Sequence, residues 1–161
     1  LLFKLKKHIK AKTKATHLNL SRQDLLLDRK KQWRLVESNS IAAGMGPFNE
    51  TLIAAQKHLS SNQRIDYAQN QATRLQSEAM FNAAKNQNDR LHSQPDAPHD
   101  LQPLIIFVIE ENEDNVFDHS MLAIGLTKRG AKAVFKTLQQ LLYSGGNVFL
   151  RQITVILKCK G

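Results

Sequence analysis

Two histidine–aspartate neighbours and one acidic run hold the residue types best suited to chemistry. Glu110-Glu111-Asn112-Glu113-Asp114-Asn115 is followed closely by Asp118-His119, and His99-Asp100 lies upstream. Carboxylates beside imidazoles can bind a divalent cation, or divide the acid and base roles of a proton transfer. The spacing meets neither requirement. A helix-loop-helix calcium loop needs a central glycine and a closing glutamate, and a zinc hydrolase helix needs H-E-x-x-H; this chain has neither pattern. Asp118-His119 is the centre of one alternative, a small enzyme.

The other nucleophile and phosphate signals are weaker. Gly44-Met45-Gly46 is too short for a phosphate cradle and lacks a following Lys-Ser/Thr, so it reads as a helix break. Ser144-Gly145-Gly146 reads the same way. Ser38, Ser40 and Ser120 lack the G-x-S-x-G elbow that exposes a serine nucleophile. Cys159 is the single cysteine, which excludes an internal disulfide and a cysteine-rich metal site and leans towards a reducing compartment. The expectation is a non-catalytic chain with no catalytic residue, no metal and no cofactor.

Charge is the stronger signal. The chain has 161 residues and a net charge of +9. Residues 1–34 hold eleven Lys or Arg against Asp24 and Asp28, which accounts for the whole excess; the remainder is balanced. Lys4, Lys6, Lys7, Lys10, Lys12 and Lys14 crowd the first fourteen residues, and Arg29, Lys30, Lys31 and Arg34 surround Trp33, the single tryptophan. Clustered cations bind phosphates by releasing counterions, and an aromatic among arginines can stack on bases. The expected partner is RNA or DNA, contacted through these eleven residues. No zinc-finger spacing, aromatic RNA-recognition box or helix-turn-helix refines that class.

The same head supports a second alternative. Leu1, Leu2, Phe3, Leu5 and Ile9 are interleaved with the lysines, so residues 1–14 could lie as a basic amphipathic helix on an anionic membrane surface. The chain would then be the soluble cytosolic-side part of a membrane complex. The longest apolar run, Leu104–Ile109, has six residues, against about 20 for a spanning helix. The missing initiator methionine suggests a piece of a longer chain, in which a membrane or targeting segment could precede Leu1.

The elements that must position these residues divide the chain in two. Leu2, Leu5 and Ile9 at helical spacing predict a basic helix over about 1–16. Ser21 with Asp24 three positions on, then Leu25-Leu26-Leu27, reads as a capping-box start to a helix over 22–42, with Trp33 seven residues after Leu26. Helices are also expected over 50–60, capped by Asn49, and 62–86. In the last, Ile65, Ala68, Ala72, Leu75 and Ala79 form an alanine-rich seam suited to a protein interface.

Residues 91–103 contain three of the four prolines and predict a linker. Beyond it, LIIFVI at 104–109 reads as a buried strand and 116–124 as a second. A helix is expected from Thr127, and a final strand over 148–158. The sequence therefore predicts an α+β chain: a basic helical region over 1–90, then a small β-α-β-like module over 104–161. Its expected role is an intracellular binding or scaffold component with protein neighbours, membrane association belonging to the second alternative.

Overall fold

A computed structural model describes residues 18–40, 43–62, 65–93, 102–137, 139–140 and 155–158. The fold is mixed α+β. In chain order its elements are β1 (Arg22–Leu27), β2 (Trp33–Asn39), α1 (Gly46–Leu59), α2 (Ala72–His92), β3 (Leu104–Ile109), α3 (Val116–Thr127), β4 (Lys132–Thr137) and β5 (Val155–Lys158). The basic helix expected over 1–16 and the proline-rich stretch 94–101 lie outside the described residues.

The C-terminal module is built on β3. All its side chains are apolar, and Ile105, Ile106, Phe107 and Val108 are buried, as expected of a parallel strand covered on both faces. β4 pairs with it on one side and β5 on the other, both parallel, giving the order β4-β3-β5. Helix α3 is the crossover between β3 and β4. Met80 and Ala84 from α2 and Leu122 and Leu126 from α3 meet Ile105, Phe107 and Ala131 in the core, and Leu18 and Leu20 pack against it.

The β-α-β arrangement sits earlier in the chain than its sequence suggests. Residues 116–124, expected as a strand, belong to α3. Asp118, Leu122 and Leu126 are buried at i, i+4, i+8, and that helical repeat outweighs local β propensity. The helix expected from Thr127 is replaced by a stop. Gly130, at φ +86°, lets Ala131 N–H reach Leu126 O at 3.1 Å and Gly130 N–H reach Thr127 O at 3.0 Å. This pair of bonds closes a helix end and favours glycine at its left-handed position. Strand β4 follows. Of the final strand expected over 148–158, residues 155–158 are a strand; 148–154 lie outside the described residues.

The N-terminal helices also shift. Helix α1 starts at Gly46 with Pro47 in its first turn, so the glycine–proline break begins a helix as well as ending the preceding segment. Helix α2 starts at Ala72, not at 62; the Asn70 carboxamide oxygen accepts the Ala72 N–H at 2.9 Å and Glu50 accepts the Thr73 N–H at 2.8 Å. Its buried positions are Ser77, Met80, Ala83, Ala84 and Asn88. The seam from Ile65 to Ala79 is therefore not one helical stripe. Ile65 and Ala68 precede the helix, and Leu75 is exposed. At the α2–α3 crossing, a Cβ on Gly125 would stand 2.8 Å from Ser77 Oγ, so the helices approach more closely there than a side chain allows.

The largest correction falls on residues 22–42. In place of a helix, β1 and β2 form an antiparallel hairpin pairing Leu25 with Leu35, Leu26 with Arg34 and Leu27 with Trp33. Asp28 decides this locally. Its Oδ1 accepts Lys30 N–H at 2.8 Å and Gln32 N–H at 2.9 Å, while Lys31, at φ 58°, turns the chain back. An aspartate that bonds the main chain just ahead of it offers a turn in competition with a helix. The anticipated capping box is not used, because Asp24 pairs with Arg22.

Candidate nucleic-acid interface

The hairpin gathers one of the two basic clusters on a single small element. Arg29, Lys30 and Lys31 form its turn, Trp33 opens β2, and Arg34 follows. Lys4, Lys6, Lys7, Lys10, Lys12 and Lys14 lie outside the described residues. Among the described elements, β1 and β2 make extensive contacts only with each other.

The five described cationic and aromatic residues differ in availability. Arg34 donates to Asp28 Oδ2 at 2.9 Å and to the Gln32 side chain at 2.7 Å. The Gln32 main-chain N–H, then Arg34, hold the Asp28 carboxyl below its ordinary range, so this pair stays ionised and internally neutralised. Arg29, Lys30 and Lys31 form no ion pair among the described residues, and all three are exposed. Trp33 is 68% exposed. Among the described residues, three cations without a carboxylate partner therefore crown the turn, and Trp33 pairs with Leu27 next to it.

The two faces of the ribbon are unlike. Successive residues of a strand point to opposite sides, and the register has an irregularity between Asp24 and Leu25. One side carries Arg22, Asp24, Glu37 and Asn39 in a closed polar network. Arg22 donates to both Asp24 oxygens at 2.8 and 3.0 Å, and Asn39 bonds Glu37 at 2.8 Å. The Arg22 hydrogen bond lowers the Asp24 carboxyl, and Asp24 in turn raises the Arg22 guanidinium. The other side carries Leu25, Leu27, Trp33 and Leu35, exposed by 49, 53, 68 and 60%. The leucines were not anticipated as site residues. Their signal was the alternation Leu25, Leu27 and Trp33, Leu35, obscured by the helical spacing from Leu26 to Trp33.

The acidic alternative is placed differently. Asp118, 1% exposed, accepts the Phe48 N–H at 2.8 Å, and its other oxygen accepts the Met45 N–H and a 3.3 Å bond from Asn115. It thus caps the start of α1 from a distant element, satisfying main-chain donors that a helix leaves open. His119 is buried with its ring 6.0 Å from Phe107. Glu113 accepts the Asn115 N–H at 3.0 Å. His99 and Asp100 lie outside the described residues. Among the described residues no three His, Cys, Asp or Glu side chains converge as a metal site, and no helix is long and apolar enough to cross a membrane. No family model matches this chain, and no curated protein matches it in sequence.

Proposed function

We propose that this chain is a non-catalytic, intracellular binding component of a larger assembly, and that it contacts nucleic acid through cations at its N-terminal end. The observation that carries the reading is the hairpin turn, where Arg29, Lys30 and Lys31 stand exposed beside Trp33 without a carboxylate partner among the described residues. Cations already matched by the chain's own acids, as Arg22 and Arg34 are, have less to gain from phosphate. Unmatched ones bind it and release its counterions. Lys4, Lys6, Lys7, Lys10, Lys12 and Lys14 would add further phosphate contacts, and exposed Leu75 and Ile65 are available to protein neighbours.

Binding of the full chain to generic single- and double-stranded oligonucleotides, followed from low to moderate salt, tests this. Affinity should fall steeply as salt rises. Replacing Arg29, Lys30 and Lys31 together by Ala should make the slope of log K against log salt shallower by about 2 to 3, each contact contributing roughly 0.7 to 0.9. Salt-insensitive binding, or a slope that ignores the triple change, rejects the hairpin as a phosphate contact.

A further inference from the structure

We propose that the apolar face of the β1–β2 ribbon receives unpaired bases, so that the ligand is a single-stranded nucleic acid. This inference rests on the nucleic-acid reading above and narrows it to a substrate class.

The argument comes from two neighbouring features with different chemical demands. Arg29, Lys30 and Lys31 call for negative charge. Directly below them the cross-strand pairs Leu27–Trp33 and Leu25–Leu35 present an uncharged surface that is about half exposed or more. A duplex offers phosphates to the turn, but its base faces are stacked away and would leave the four apolar side chains in water. A single strand offers both groups on one molecule: a charged backbone for the turn, and bases with open π faces for the indole and the leucines.

The opposite face of the ribbon discriminates further. It carries exposed Leu26 and two carboxylates, Asp24 and Glu37, against one guanidinium, Arg22, which pairs with both, so it offers a phosphate backbone no unpaired cation. The strand is directed to the apolar side. Trp33 lies where the two demands meet, beside the cationic turn and at the outer end of the apolar face. A base stacked on it keeps its phosphate within reach of the lysines. Stacking tolerates any base, so the expected recognition is of unpaired strand and not of sequence.

Trp33 is the only tryptophan, which makes its fluorescence a direct reporter. The full chain is titrated, at one fixed salt, with a short oligothymidylate, a short oligouridylate, a duplex of similar length, and vesicles with and without anionic lipid. Either single strand should quench Trp33 and bind about tenfold or more tighter than the duplex. With variant affinities read from the anisotropy of an end-labelled oligonucleotide, Trp33→Ala should cost about tenfold on single strands and little on the duplex, Trp33→Phe should restore most of that loss, and Leu26→Ser on the opposite face should leave affinity unchanged.

Equal affinity for single strand and duplex overturns the inference. So does a Trp33 signal unmoved by saturating single strand, or one that shifts only with anionic vesicles. If salt-sensitive binding persists without strand preference, the base-stacking inference falls while the phosphate reading stands. If neither nucleic acid binds in a salt-sensitive way, both fall.

Discussion

The two sheets of this chain use similar residues to opposite ends. In β3, Ile105, Ile106 and Phe107 are at most 1% exposed, and side chains of α2 and α3 join Ile105 and Phe107 in the core. In β1 and β2, Leu25, Leu27, Leu35 and Trp33 are as apolar, yet each keeps about half or more of its surface in water. The difference lies in connectivity. β3 is a central parallel strand whose crossover helix α3 folds back over it, with α2 also supplying the core. The hairpin closes locally through a short turn and gains no second layer among the described residues. Buried apolar surface stabilises at roughly 25 cal/mol per Å², and a lone two-stranded hairpin is marginal in water. Stability is therefore concentrated in the C-terminal module, while the hairpin keeps an uncovered surface suited to recognition.

Four measurements would break or sharpen that contrast, beginning with the largest effect. Phe107→Ala should cost about 3–5 kcal/mol in global unfolding, because it opens a cavity beneath stacked Phe135 and beside His119 in the packed module. A chemical denaturation midpoint that hardly moves would show that β3 is not the stabilising centre. Asp118→Ala should cost about 1–2 kcal/mol, since it removes the acceptor of two part-buried main-chain donors at the start of α1, Met45 and Phe48. Asp118→Asn, which keeps an acceptor, should lose less. If both substitutions leave thermal unfolding unchanged, the cap from α3 to α1 is ornamental.

The hairpin should respond very differently. Leu25→Ser should change global stability by less than about 0.5 kcal/mol, as expected for an exposed position; a loss of several kcal/mol would reveal that the ribbon is part of the core after all. The smallest effect is acid loosening of the hairpin. Asp24 and Asp28 sit below their ordinary carboxyl range when folded, so the folded ribbon binds fewer protons than the unfolded chain. Their contribution is present above that range and is lost as the pH falls through the folded values, below about 4. Hydrogen exchange at the Lys31 and Gln32 amides should accelerate there before exchange in β3 does. Simultaneous loss in both regions would contradict a separately stabilised hairpin.

The sequence made parts of this arrangement legible at once. LIIFVI was readable as a buried strand because it is apolar throughout, and the structure places β3 at Leu104–Ile109. The concentration of cations before Leu35 was readable because charge needs no fold to be counted. Residues 22–42 were misread because the stretch satisfies two periods at once. Ser21-x-x-Asp24 and the seven-residue step from Leu26 to Trp33 suit a helix, while Leu25, Leu27, Trp33 and Leu35 suit a ribbon. The basic–aromatic cluster was thus recognised by composition, and the apolar face beneath it was missed. Asp118 was noticed for chemistry, but its partners at Met45 and Phe48 lie 73 and 70 residues away, a separation no local pattern encodes.

The amino-acid order by itself determined where the charge lies, that one strand must be deeply buried, and that Arg29, Lys30, Lys31 and Trp33 share a short stretch. Tertiary structure decided that this stretch is a ribbon with one polar and one apolar face, that Asp118 closes a distant helix, and that β3 lies between β4 and β5. The physical reason is range. Charge and hydrophobicity are properties of single residues, whereas a face, a cap or a sheet order exists only once hydrogen bonds and burial have brought separate segments together.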